Sequence, residues 1–574
     1  MKQKLKALAS LCLALALTLC LTLPAWAAGG GGLTENSTGT VTITGLAENT
    51  DVTVTAYKIV SVNWHNNGDT PLYEAPEDPT YKWDTSVAEW LEQGSSNYSA
   101  YKDASGNVTD AFEDMNAVNA TDFYTDLAKE IKKQESTLAN LEDKELQITG
   151  SDGAYTASGK LAMGGYLVLV DGGTKIYSPV FLTVMPTYND ETSSWEMPDE
   201  TDPATAAVKQ QELTFEKKIV KTTADSGETL LDKDTVAIND LVTFRLTAGV
   251  PKYLENAAVK TFKISDNLPE GMTLRDNPDF TVKGYTDGDG TGVALSKGTA
   301  YTVATPPDMN MDFTLNFTYD QIKTYSKITV EYTVTMNENT VVFEGGDKPN
   351  GTENSAVLTY VKDQLTGTTA NLEDTAIVYS YGIQVTKKGE SSEEGQDEPL
   401  TGAVFTLKKD GTDTTAISFV KADDGSYRVA DSTDTDTEKT TELTVGTSDP
   451  MKGILKLSGL DVGEYLLTEV QAPAGYNKLS APISIIIQDE DDGVGTPNAG
   501  PNGKPEYTST DQEGLSKEVE AADGYVPVTV TNTQGFTLPT TGGMGTVLFT
   551  AGGVVLMGAG LVLLVVFLRR RRAK

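Results

Sequence analysis

Period-two alternation runs through most of this chain. Thr40-Val41-Thr42-Ile43-Thr44, Thr243-Phe244-Arg245-Leu246-Thr247 and Lys327-Ile328-Thr329-Val330-Glu331-Tyr332-Thr333-Val334 each set β-branched or aromatic residues on one side of an extended backbone. Gly, Asp and Asn clusters punctuate them. A sequence of this kind makes many short strands, and the predicted fold class is all-β, a tandem of immunoglobulin-like sandwiches. Helical spacing is rare. It is confined to 86–93, with Val87, Trp90 and Leu91 on one face, and to 121–141, with Leu127, Ile131, Leu138 and Leu141.

At 574 residues the chain is long enough for several domains. The pattern breaks twice. The stretch 189–207 is polar, acidic and Pro-containing, and reads as a linker or edge strand. A strand run ends at 378–382 and a new pattern follows. The predicted organisation is a signal peptide at 1–27, a β-rich N-terminal domain with a helical insertion at 28–210, a second domain at 211–380, a third at 381–537 and a C-terminal tail at 538–574. The acidic stretches 390–398, 431–438 and 489–492 read as solvated loops. None matches the spacing of an EF-hand calcium loop, which needs Asp or Asn at positions 1, 3 and 5 ahead of a Gly at position 6.

Charge and rare residues exclude whole classes of function. Lys and Arg number 45 against 82 Asp and Glu, a net charge of −37. Nucleic acid and anionic membrane surfaces are therefore unsuitable partners. His65 is the one histidine, and Cys12 and Cys20 are the only cysteines. That excludes Cys/His zinc sites and Cys–His proteases, and no metal or cofactor is expected. A surface hydrolase carried on β-modules is the weakest reading, since no nucleophile elbow accompanies His65.

The two ends read as addresses. Lys2, Lys4 and Lys6 precede an apolar run from Leu8 to Leu23, and Ala25-Trp26-Ala27 is a small-x-small cleavage site, so 1–27 is a secretory signal. Both cysteines leave with it, and the exported chain has none with which to form a disulfide. At the other end Leu538-Pro539-Thr540-Thr541-Gly542 precedes an apolar run from Val547 to Leu568, about 33 Å long as a helix. Arg569, Arg570, Arg571, Arg572 and Lys574 follow as a cytoplasmic stop. The arrangement resembles the sorting signal of Gram-positive surface proteins. That resemblance implies cleavage between Thr541 and Gly542 by a sortase, which leaves the Thr541 carbonyl as a thioester for another amine. It implies a pilus sortase of class C and a housekeeping sortase as partners, peptidoglycan as the final attachment, and a place on the cell surface.

Two lysines stand where core residues belong. Leu213, Phe215 and Lys217 share one face of a predicted strand, and Ile383, Val385 and Lys387 share one face of another. A snorkelling lysine at a strand end is the ordinary explanation. Downstream, Tyr465-Leu466-Leu467-Thr468-Glu469-Val470-Gln471-Ala472-Pro473-Ala474-Gly475-Tyr476 resembles the E-box of Gram-positive pilins. Pro399-Leu400-Thr401-Gly402-Ala403-Val404-Phe405-Thr406-Leu407 and Val528-Thr529-Val530-Thr531-Asn532 resemble the opening and closing strands of collagen-adhesin B-type repeats. The resemblance implies an isopeptide bond between Lys387 and Asn532, promoted by Glu469. Val470 departs from the Thr usual after that Glu. Burial favours a neutral amine as nucleophile, a protonated acid polarises the Asn carbonyl, and ammonia leaves.

The middle domain resembles the second domain of major fimbrial subunits. There the resemblance implies Lys217 as amine, Asn354 as amide and Asp266 as acid, with a plain turn residue as the alternative for Asp266. Polymerising pilins take the next subunit on a lysine after Val-Tyr-Pro, near the boundary of the first two domains. Here the corresponding stretch is Ala206-Ala207-Val208-Lys209, without Tyr and Pro, which makes Lys209 the expected acceptor and an ordinary exposed lysine the alternative. The expected function is the major structural subunit of a sortase-assembled pilus, a substrate rather than a turnover enzyme. Its partners would be identical and accessory pilins, with an unknown receptor. A singly wall-anchored adhesin, or a minor tip or base pilin, is the alternative.

Overall fold

A computed structural model describes residues 33–63, 80–93, 98–489, 500–534 and 553–565, less short gaps within those ranges. His65, both cysteines, the signal segment and the Leu538–Gly542 motif lie outside the described residues.

The chain is predominantly β, and its strands sort into three groups. In the first, eight strands form one sheet. Its order runs Ala204–Ala207, Thr38–Leu46, Ala154–Ala162, Asp143–Ser151, Val52–Asn63, Gly164–Gly172 and Val180–Val184, with Thr80–Trp83 paired onto Val52–Asn63. The stretch read as a linker or edge strand holds both a small hairpin, Thr187–Asn189 with Ser194–Glu196, and the edge strand Ala204–Ala207. Strand Gly164–Gly172 is covered on both sides, so its first six residues are all buried. Tyr166 and Val168 face a cluster with Val41, Ile43, Val54 and Leu182, whereas Leu167 and Leu169 face the helices.

Those helices follow local chemistry. Asp84 caps Thr85–Glu92 by accepting from the Ser86 N–H, and Val87, Trp90 and Leu91 are its buried residues. Asn116 caps Ala117–Ile131 in the same way. The second helix was expected to reach residue 141. It ends ten residues earlier, where the polar run Lys132-Lys133-Gln134-Glu135-Ser136 offers no apolar face and the Ser136 hydroxyl accepts from the Leu138 N–H. Leu138 and Leu141 still enter the helical cluster, from irregular backbone.

The middle group is a sandwich of a seven-stranded and a six-stranded sheet, and so is the last. In the middle sandwich Phe215–Thr223 and Lys327–Met336 both pair with Leu241–Gly249 in the seven-stranded sheet. Phe262–Asn267 pairs with Thr352–Asp363 in the six-stranded sheet opposite. In the last sandwich Tyr381–Gly389 pairs in parallel with Tyr525–Asn532, and Gly463–Gln471 lies in the facing sheet.

The groups are tied to one another. Leu365 of the middle sandwich is buried in the first group's helical cluster, and Tyr360 Oη donates to the Thr174 carbonyl at 2.8 Å. Lys129 Nζ reaches the Asn256 carbonyl at 2.7 Å. At the other junction Ile238 packs into the core of the last sandwich, and its N–H donates to the Gly459 carbonyl at 3.1 Å. Two stretches expected to be solvated depart from that expectation. Asp489 is buried, accepting from Tyr381 Oη at 2.6 Å and the Gly503 N–H at 2.8 Å, because a carboxylate can satisfy donors from two chain segments at once. Asp431 is also buried, holding Thr433, while Asp434 forms a forked pair with Arg428. The described C-terminal helix covers 553–565, part of the predicted 547–568 span. Among the described residues no helix is long and apolar enough to cross a membrane.

Among the described residues the tryptophans are Trp83, Trp90 and Trp195, and all three belong to the first group, so their fluorescence reports on it. Leu365→Ala opens a cavity in the helical cluster that also holds Trp83 and Trp90. It is expected to lower that group's stability by about 2–3 kcal/mol, seen as an earlier urea midpoint of the fluorescence transition.

Candidate crosslinking sites

The period-two alternation carries each lysine inward as expected. Phe215, Lys217 and Ile219 are buried in turn, as are Ile383, Val385, Lys387 and Gly389. Both lysine side chains are fully shielded from solvent. An unpaired ammonium there would be severely penalised, so the surroundings of each amine decide what it is.

In the middle sandwich Lys217 projects from the seven-stranded sheet toward Asp266 and Asn354 on the six-stranded sheet. All three are fully buried. Asp266 is a strand residue of Phe262–Asn267, not a turn residue. Lys217 Nζ donates to Asp266 Oδ2 at 2.6 Å and to Tyr332 Oη at 3.0 Å. Tyr332 Oη donates to the same Asp266 oxygen at 2.6 Å, and Asn354 Nδ2 donates to Tyr332 Oη at 3.0 Å. The amine also lies 5.0 Å from the centre of the Phe244 ring. Burial pulls the Lys217 amine down to about 8, against the opposing pull of Asp266. Burial likewise lifts the Asp266 carboxyl above the ordinary carboxylate range, opposed by Lys217 and by the Tyr332 hydrogen bond. Both shifts favour neutral partners. Asp266 Oδ1 and Asn354 Oδ1 are buried acceptors without a donor. A hydrogen on the carboxyl would add a donor to this cluster.

Tyr332, within the alternating run 327–334, joins this cluster without being among the expected site residues. The signal was present: Ile328, Val330, Tyr332 and Val334 fall on one inward face, and a phenol there must find a partner.

In the last sandwich the geometry differs. Lys387 and Asn532 lie on adjacent parallel strands, in a register that sets Lys387 beside Val530 and Asn532 beside Gly389. Gly389 leaves room for Tyr476, whose hydroxyl would lie 2.6 Å from a Cβ at that position. Glu469 comes from the facing sheet and is buried. Lys387 Nζ donates to the Val530 carbonyl at 3.0 Å. Its amine is held down to about 8 by burial, with Glu469 pulling the other way.

Glu469 was expected to engage the Asn532 carbonyl. Instead Asn532 Nδ2 donates to both Glu469 oxygens, at 2.9 and 3.1 Å, and to the Asn477 carbonyl at 2.6 Å. The Asn477 carbonyl accepts only from the nitrogen side, which fixes the amide orientation and leaves Asn532 Oδ1 without a donor. The Leu479 N–H holds Glu469 in place at 2.8 Å. Asn477 and Leu479 act through backbone groups, which no residue pattern reveals.

Lys209 is exposed between the edge strand Ala204–Ala207 and the short strand Gln210–Gln211, its carbonyl accepting from the Ser178 N–H at 3.0 Å. It joins neither buried cluster.

An Asn532→Ala chain would keep Lys387 as a free amine. Its folded pKa of about 8 lies below the unfolded 10.5, so between these values the unfolded chain binds more protons. The melting temperature of this variant is expected to rise as pH climbs from about 8 to 10.5, and to fall back as pH drops through 8.

Residues 382–498 match the prealbumin-like fold domain named SpaA, and 530–574 match the LPXTG cell wall anchor motif. The chain is 25% identical over 342 residues to the trypsin-resistant surface T6 protein of Streptococcus pyogenes, covering 54% of this chain. The match spans about half of that relative, 53% of its length. The structure resembles that of the T6 backbone pilin of serotype M6 S. pyogenes, with a TM-score of 0.52 at 18% identity, covering 88% of this chain and all of that one. The major pilin SpaD of Corynebacterium diphtheriae aligns at 16% identity with a TM-score of 0.43, covering 88% of this chain and 99% of that one. With its SpaA-type domain and its cell-wall anchor motif, the chain is a cell-wall-attached surface protein whose β-domain scaffold resembles that of the T6 backbone pilin.

Proposed function

We propose that this chain is the major structural subunit of a covalent surface pilus that supports adhesion. A sortase joins Thr541 of one subunit to Lys209 of the next, and internal Lys–Asn amides hold each subunit together. The observation that carries the reading is the burial of two lysines, each grouped with an Asn and an acid, in a chain whose exported part has no cysteine.

Each internal amide forms in one turnover. The neutral lysine amine attacks the Asn Cγ, the Cγ–Nδ2 bond breaks and ammonia leaves. Loss of the amine charge removes the desolvation penalty that burial imposes. The middle domain, 211–380, links Lys217 to Asn354 with Asp266 as the acid. The third, 381–537, links Lys387 to Asn532 with Glu469 as the acid. Lys209 is solvent-exposed, as an acceptor of an incoming thioester must be. A pilus sortase of class C, a housekeeping sortase, accessory pilins and peptidoglycan are the partners this reading requires. A head-to-tail contact of this sort does not close, so the fibre has no fixed length.

The missing Tyr-Pro before Lys209 favours a second reading, a singly anchored adhesin or a minor tip or base pilin. Wall extracts boiled in SDS separate the two. A backbone pilin gives a high-molecular-weight ladder that Lys209→Ala collapses to monomer, whereas a single band in the parent strain rejects polymerisation. Intact mass tests the internal amides. The purified chain is expected to weigh about 34 Da less than its sequence, two ammonia molecules, and Glu469→Ala to restore about 17 Da.

A further inference from the structure

The two buried clusters place their acids differently. In the last sandwich Glu469 touches the amide nitrogen of Asn532 directly, at 2.9 and 3.1 Å. In the middle sandwich Asp266, one methylene shorter, touches Lys217 and Tyr332, and among the described residues no hydrogen bond joins it to Asn354. The group at Asn354 Nδ2 is Tyr332 Oη, at 3.0 Å. That phenol also lies 3.0 Å from Lys217 Nζ and 2.6 Å from Asp266 Oδ2. It is the single atom in contact with nucleophile, acid and leaving group.

We propose that Tyr332 is a catalytic residue of the Lys217–Asn354 linkage, a proton relay that carries the Asp266 proton to the departing amide nitrogen. The idea rests on the crosslinking reading above and adds to it the path of the proton.

The chemistry balances. The reaction begins from a neutral Lys217 amine and a protonated Asp266. Nζ attacks Cγ of Asn354, the Nζ–Cγ bond forms and the carbonyl oxygen takes the negative charge. Nδ2 becomes tetrahedral and gains a lone pair. The hydroxyl hydrogen of Tyr332 passes to Nδ2, and Asp266 Oδ2 passes its hydrogen to Tyr332 Oη. The carbonyl re-forms, the Cγ–Nδ2 bond breaks and ammonia leaves. Asp266, now a carboxylate, takes the hydrogen that Nζ sheds. Tyrosine and acid end as they began, and the products are one amide and one ammonia. The ionised phenolate is never required, which suits a phenol that burial drives well above its ordinary pKa. Tyr332 is held for the task by ring contacts with Phe244, at 5.6 Å, and Phe313, at 4.9 Å.

The test follows linkage over time in the full chain made by cell-free translation, with digestion and mass spectrometry reading the Lys217–Asn354 and Lys387–Asn532 peptides separately. Tyr332→Phe keeps the ring and its packing. It is expected to slow the Lys217–Asn354 link about a hundredfold while the Lys387–Asn532 link forms at the wild-type rate. Adding Asp266→Glu to Tyr332→Phe lengthens the acid toward Asn354, as in the other cluster, and is expected to restore most of the rate. Two results overturn the relay: a Tyr332→Phe chain that links as fast as wild type, or a slow one that Asp266→Glu does not improve. A wild-type chain that never forms the Lys217–Asn354 link overturns the crosslinking reading of that cluster, and the relay with it.

Discussion

A lysine amine sealed inside a β-sandwich is the constraint around which the middle and last groups are built. Its side chain is fully buried, so the amine must be neutral, paired, or both. Lys217 is paired with Asp266 and Tyr332, and Lys387 caps the Val530 carbonyl. Neither arrangement stabilises a sandwich better than a leucine would, since desolvating an ion pair offsets much of its attraction. On the proposed crosslinking reading, each amine is placed for an amide with a nearby Asn. With both cysteines within the first twenty residues, an amide between side chains is the remaining way to close a long loop covalently in the two sandwiches.

The two clusters reach that poise by different topologies. Lys217 stands on one sheet with Asp266 and Asn354 on the other, so its link would cross the core and bind sheet to sheet. Lys387 and Asn532 stand on neighbouring strands of one sheet with the acid opposite, so theirs would bind strand to strand. The geometry of the acid follows. Glu469 spans the core to the amide by its own length, and Asp266 meets it through a phenol. In the proposed linkage, a shorter acid would suffice where a neighbouring strand offers an inward hydroxyl.

How much of this could be read from residues alone depends on the range of the interaction. The inward turn of Lys217 and Lys387 was legible because alternation in a strand is rigid, and two apolar neighbours suffice to orient a third position. The second helix begins at Ala117, four residues before the expected 121, and only the first, expected over 86–93, was legible at its start from apolar spacing. The end of the second was not, because Leu138 and Leu141 have helical spacing yet reach the core from irregular backbone. Tyr332 and Asn477 depend on strands brought together over long sequence separations, and no local pattern encodes that. Asp489 was misread for the same reason: acidity near a loop suggested solvent, whereas Tyr381, more than a hundred residues earlier, holds it inside.

The parallel pairing of Tyr381–Gly389 with Tyr525–Asn532 has a mechanical meaning. The chain enters the last sandwich at one end of this strand pair and leaves at the other, so a pull between the two ends slides the strands along each other. The ladder between them is then strained in shear, every rung at once. Opening it rung by rung, as a zipper does, is not available to a force applied along that line.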